Sequence, residues 1–80
     1  MEKNQCNVNG KRNGHWEEYY YNGKLRFKGY YINNIKNGYW EWYWSNGNLR
    51  YKGEYINGKP IGCWEYRNSY GDVIEQIFYT

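Results

Sequence analysis

The sequence predicts an all-β protein: a single twisted antiparallel meander of about six strands, built from three 24-residue hairpin repeats. Three observations carry that expectation. Val8, Ile32 and Ile56 recur at a constant offset of 24, as do Gly14, Gly38 and Gly62, and Trp16, Trp40 and Trp64. A period held without slippage marks a repeat architecture. Aromatic residues make up 24% of the chain and alanine is absent, a composition that favours strands over helices. Asn22-Gly23 and Asn46-Gly47 separate runs of aromatic and branched residues, the strongest short-range sign of a β-hairpin.

The 80 residues suffice for one domain, 1–80, and are too few for a second core. Residues 1–13 form a partial leading unit whose first seven are expected to fray; repeat units follow at about 14–37, 38–61 and 62–80. In the first unit strands are expected at 14–21 and 24–32, in the second at 38–45 and 48–56, and in the third at 62–68 and 73–79. Segments 33–37 and 57–61 are expected to be short loops. Each Asn-Gly is expected to make a two-residue type I′ turn, with positive φ at both central residues. Tyr70-Gly71 holds the same place in the third unit, where Tyr accommodates positive φ poorly.

A two-residue turn dictates the register. Tyr21 then faces Lys24, Tyr20 Leu25, Tyr19 Arg26, Glu18 Phe27, Glu17 Lys28 and Trp16 Gly29. Because side chains alternate along a strand, one face carries Trp16, Tyr20, Leu25, Phe27, Gly29 and Tyr31. The second unit adds Trp40, Trp44, Leu49, Tyr51, Gly53 and Tyr55, and the third Trp64, Tyr66, Val73, Ile77 and Tyr79. Gly29 and Gly53 each lie opposite a Trp, whose indole can cover the bare backbone. On the other face Glu17 opposes Lys28 and Glu41 opposes Lys52, pairs worth about 0.2–1 kcal/mol each.

Most catalytic chemistry lacks its parts. One His and one Asp give no nucleophile with a base and an orienter, so no enzyme is expected. Glu17, Glu41 and Glu65 form a row, but opposed lysines favour charge pairing over paired-carboxylate catalysis. Cys6 and Cys63 lack metal-ligand spacing, and no metal or cofactor is expected. Gly53 to Pro60, GEYINGKP, approaches a phosphate-binding loop, yet Pro60 stands where Ser or Thr is required. No apolar run approaches a membrane span, with mean hydropathy at −1.23, and the N-terminus lacks a secretory apolar stretch. A cytoplasmic protein is expected.

The frame Tyr51 to Trp64, YKGEYINGKPIGCW, resembles the MORN repeat. More closely it is similar to the bacterial MORN variant of repeat-type antitoxins, in which a W-x-x-Y-x-x-N-G-x-L segment follows. Trp40, Tyr43, Asn46, Gly47 and Leu49 match that segment, as do Trp16, Tyr19, Asn22, Gly23 and Leu25. Tyr70, Glu75 and Ile77 depart from it in the last unit, as a terminal cap would. The resemblance implies a small module that neutralises a toxin or effector by binding it.

A single sheet without a second layer leaves an open aromatic slab, and such patches mark interaction sites. Protein binding or homo-oligomerisation is expected through Tyr20, Trp40, Trp44, Tyr51, Tyr55 and Trp64, with no small-molecule substrate. Two alternatives remain. Arg26, Lys28, Arg50 and Lys52, placed together beside Tyr19, Tyr30 and Tyr43, suit an anionic lipid surface or single-stranded nucleic acid, unless the glutamates neutralise them. Exposed edges or faces also suit a self-assembling structural component.

Overall fold

A computed structural model describes residues 3–80. Six strands follow one another in a single antiparallel sheet with no crossover: β1 Gly14–Tyr19, β2 Leu25–Ile32, β3 Ile35–Tyr43, β4 Leu49–Ile56, β5 Lys59–Arg67 and β6 Val73–Tyr79. The described residues contain no helix. The molecule is 17 Å in its shortest dimension, so the expected one-layer meander is what forms.

The turns are distributed differently from the expectation. The two-residue turns with positive φ lie at Asn33-Asn34 (φ 50° and 68°) and Asn57-Gly58 (φ 51° and 81°), where longer loops were expected. At Asn22-Gly23 the loop has three residues. Gly23 N–H donates to Tyr20 O and Tyr20 N–H to Lys24 O, with positive φ at Gly23 and none at Asn22. This is the three-residue hairpin that ends in a left-handed glycine. Asn22 is committed elsewhere: its Oδ1 accepts from Lys24 N–H, and its Nδ2 donates to Ser45 O in the next hairpin at 2.8 Å. Asn46 makes the same reach to Ser69 O at 2.8 Å. Tyr70 is no obstacle, because Gly71 alone takes positive φ.

The third loop residue shifts the register beside each turn. Tyr19 pairs with Leu25 instead of Arg26, while Glu18–Phe27, Glu17–Lys28 and Trp16–Gly29 stand as expected. Arg26 is the bulged residue, and Arg50 and Ile74 occupy equivalent bulges. A second irregularity separates the repeats: Lys28 faces Glu41 but Tyr30 faces Asn37. Gly38 sits in this interruption at φ 73°. There the chain swings Trp40 inward. An ideal Cβ on Gly29 would lie 1.9 Å from Trp40 Cδ2, and one on Gly53 2.1 Å from Trp64 Cδ2. The indole over each glycine is thus that of the following hairpin, and not its register partner Trp16 or Trp40.

The core is correspondingly small. Trp40, Trp64 and Tyr31 are its buried hydrophobic side chains, at 1%, 3% and 7% exposure. The indole N–H of Trp40 donates to Tyr30 O and Asn37 O, and that of Trp64 to Ile61 O, as buried indoles require. Residues 3–7 do not fray. Asn4 N–H donates to His15 O, Asn13 N–H to Gln5 O, and Asn4 Oδ1 accepts from Glu17 N–H, which covers the outer edge of β1. Met1 and Glu2, which shared that expectation, lie outside the described residues.

Candidate protein-binding face

Both faces of the sheet are built by alternation, and they differ in kind. On one, Glu17, Lys28, Glu41, Lys52, Glu65 and Gln76 stand in register across all six strands. The expected charge alternation is real, but the close partners are not those inferred. Glu17 pairs with Lys3 at 2.7 Å, Glu41 with Lys28 at 3.4 Å and Glu65 with Arg67 at 2.7 Å. Hydrogen bonds from Lys3 and Tyr19 hold the Glu17 carboxyl down to about 2. Burial opposes charge on Glu41, yet hydroxyls donated by Tyr43 and Tyr39, with Lys28 nearby, still lower its pKa. The Arg67 hydrogen bond lowers that of Glu65.

All three carboxyls titrate below the ordinary 4.5 when folded. They therefore add stability above about pH 4.5, and that stability is lost as pH falls through their folded values. Thermal melts should show a falling midpoint between neutral pH and about pH 3. Lys3→Ala should lower the midpoint at neutral pH and make its fall shallower, by letting the Glu17 carboxyl return toward its ordinary value. A midpoint flat across that range would contradict the pairing.

The other face is aromatic. Trp42 stacks on Trp40 and on Tyr51, with ring centroids 5.4 and 4.4 Å apart, and Tyr51 stacks on Tyr66 at 5.5 Å. Trp42 was missing from the expected set, although alternation between Trp40 and Trp44 was enough to place it there. Each such contact contributes about 0.5–1.5 kcal/mol beyond burial. This row packs the sheet against itself in place of a second layer.

The sequence-derived residues divide accordingly. Trp40 and Trp64 are enclosed and form the floor of this face, so the part of the slab expected to stay open does not include them. Tyr20, Trp44, Tyr51 and Tyr55 remain half-buried on the same face. Tyr20 donates its hydroxyl to Tyr43 O, and Trp44 its indole N–H to Arg67 O at 3.2 Å. Trp44, Tyr51, Tyr55 and Trp64 line an open groove of about 570 Å³ together with Arg50, Pro60, Tyr66, Arg67, Ile74 and Tyr79. Ile74 of that lining and its neighbour Val73 on β6 are exposed, while Phe78, also exposed, shares the charged face with Gln76 by register.

The basic quartet does not form one site. Lys28 and Lys52 stay in the charged row, Lys28 against Glu41. The bulges turn the other two toward the aromatic rings. Arg26 lies 5.9 Å from the Tyr20 ring centroid, and Arg50 lies 4.5 Å from that of Trp44 and 5.8 Å from that of Tyr51. Two cations not singled out in the sequence join them. Arg12 sits over Trp16 at 4.6 Å and Tyr31 at 5.4 Å, and Lys36 over Trp40, Trp42 and Tyr55 at 5.2, 5.2 and 5.5 Å. Their signal was available: Arg12 and Lys36 are one repeat apart, as are Arg26 and Arg50. Among the described residues no group of His, Cys, Asp or Glu is placed to hold a metal, and Cys6 and Cys63 are free, exposed thiols.

A one-layer sheet of stacked hairpins, with inter-repeat contacts and an aromatic face, defines an open hairpin-repeat protein. The pattern described as MORN repeat variant matches residues 12–33 and 36–57, more than half of the chain, and the chain belongs to that family. No curated protein matches the chain, and no solved structure does. MORN repeats are in general non-catalytic modules of protein and membrane interaction.

Proposed function

We propose that the protein is a non-enzymatic, cytoplasmic module that binds another protein across its aromatic face, in the manner of a small neutraliser of a toxin or effector. The observation that carries this is the groove of about 570 Å³ walled by half-buried Trp44, Tyr51, Tyr55, Tyr66 and Tyr79. Half-buried aromatic side chains around a concavity are what protein interfaces use as anchors, and truncating one at an interface centre costs about 2 kcal/mol or more. On the opposite face the row of carboxylates is already paired with cations.

The test is recovery of a partner from the native host, with the wild type, Trp44→Ala and Tyr30→Ala as baits. Tyr30 is exposed on the charged face. A specific partner lost with Trp44→Ala and kept with Tyr30→Ala supports the reading, provided circular dichroism shows both baits folded. Retention by a folded Trp44→Ala bait counts against the face. Loss with Tyr30→Ala alone would transfer the interface to the charged side.

A further inference from the structure

Charge is sorted between the two faces, and the sorting says what the groove receives. Glu17, Glu41 and Glu65 all lie on the charged face, each with a cation within 4 Å. The aromatic face carries Arg12, Lys36, Arg26 and Arg50, and among the described residues none of these has a carboxylate within 4 Å. Arg12 and Lys36 follow one rim at the repeat spacing, Arg26 and Arg50 the other. By register Glu18 and Glu75 also lie on this side, on the outer strands β1 and β6. Lys36 is the most telling of the four. It is half-buried over three rings, an environment that disfavours an ammonium without a counter-ion. In the third unit Pro60 and Ile74 replace the rim cations, so the groove is apolar at one end and cationic where Lys36 and Arg50 approach it.

The rings themselves select among anions. Trp42 is stacked between Trp40 and Tyr51, and Tyr51 between Trp42 and Tyr66. Neighbouring rings take up their π-faces, and Lys36 lies 5.2 Å from the Trp42 centroid and Arg50 5.8 Å from that of Tyr51. These two rings therefore offer a ligand chiefly their edges, the positive part of the aromatic quadrupole. Base stacking, the main attraction for single-stranded nucleic acid, needs the faces. Carboxylates suit edges, cations and hydroxyl donors. Tyr51 and Tyr55 carry their hydroxyl protons at neutral pH, as any tyrosine does, and burial pushes their pKa further up.

We propose that the segment bound in this groove is an acidic peptide stretch, with its carboxylates at Lys36 and Arg50 and an apolar side chain toward Ile74 and Tyr79. This rests on the protein-binding reading above and names the chemistry of the partner. The probe is a synthetic peptide of alternating Glu and Leu, with a control in which Gln replaces every Glu, followed by tryptophan fluorescence over a salt series. The Glu peptide should bind at least about tenfold more tightly at low salt than the Gln peptide, and the difference should shrink as salt rises. Lys36→Gln and Arg50→Gln should each weaken it about five- to tenfold, while Lys36→Arg restores most of the affinity. Arg50 is exposed, so its variant remains informative if Lys36→Gln fails to fold. Equal affinity for the two peptides overturns the acidic assignment and leaves the face a binding surface. No binding of either peptide, or tighter binding of oligo-dT or of phosphatidylserine vesicles than of the Glu peptide, also overturns it. The Trp44→Ala comparison judges the broader reading separately.

Discussion

Gly29→Ala and Gly53→Ala are each expected to remove a large part of the sheet's folding stability. A Cβ on Gly29 would stand 1.9 Å from Trp40 Cδ2, and one on Gly53 2.1 Å from Trp64 Cδ2. Neither indole has room to retreat, since the two are 1% and 3% exposed and their ring N–H groups are bonded to backbone carbonyls. Overpacking a rigid site costs about 1–3 kcal/mol and more where nothing yields, so about 3 kcal/mol or more is expected here. Small domains hold only about 5–15 kcal/mol in total. Urea denaturation would read the loss, and Gly62→Ala supplies the control. Gly62 has open space around its missing Cβ but sits at φ 71°, so its substitution costs only the backbone strain of about 1–2 kcal/mol. The steric origin can be isolated with Gly53→Ala placed on a Trp64→Ala background, where the added methyl group should cost almost nothing further. Equal losses at Gly53 and Gly62 would show that the indole contact is not the cause.

Much of this fold was legible because the repeat fixes so much. The alternation, the 24-residue offset and the opposed charges gave six strands, their order and the far part of each hairpin register. What stayed hidden is what a two-residue period cannot express. Asn22-Gly23 and Asn57-Gly58 are identical dipeptides, yet one ends a three-residue loop and the other is a complete two-residue turn. The difference lies in the next hairpin: Asn22 finds Ser45 O one repeat away, a contact that local sequence does not contain.

Bulges account for the other errors. One extra residue in each turn re-aims Arg26 and Arg50 from the charged face toward the rings, as bulges do. Strict alternation put them with Lys28 and Lys52. The irregularity at Gly38 likewise carries Trp40 from its register partner Gly53 onto Gly29. The structure thus keeps Tyr20, Trp44, Tyr51 and Tyr55 on one face, as alternation places them, and moves Arg26 and Arg50 off the face that alternation gives them. Ile77 fits the same logic. It occupies the repeat position of Gly29 and Gly53, and its branched side chain fills the place where those two accept an indole.

Replacing the three repeat tryptophans one at a time should give unequal losses, although their positions in the repeat are equivalent. Trp40→Ala and Trp64→Ala each remove a buried indole from the small set of side chains that forms the core, and a loss of about 3–5 kcal/mol is expected for either. Trp40 meets Phe27, Tyr31, Trp42 and Tyr55 at 5.0 to 6.3 Å, and Trp64 meets Trp42, Tyr51, Tyr55 and Tyr79 at 5.0 to 6.4 Å, so removing either unstacks both neighbouring hairpins. Trp16 differs because Gln5, not glycine, occupies the repeat position below it, and the ring is half-exposed with its N–H on Gln5 O at 3.2 Å. Trp16→Ala should cost about 1–2 kcal/mol, the transfer free energy of a partly covered ring. Chemical denaturation of the three variants beside the wild type gives the order directly. Three equal losses would mean that repeat position alone sets the stability of this sheet; the expected order would place that stability in the two glycine–indole contacts, with the N-terminal unit held chiefly by the backbone pairing of residues 3–7.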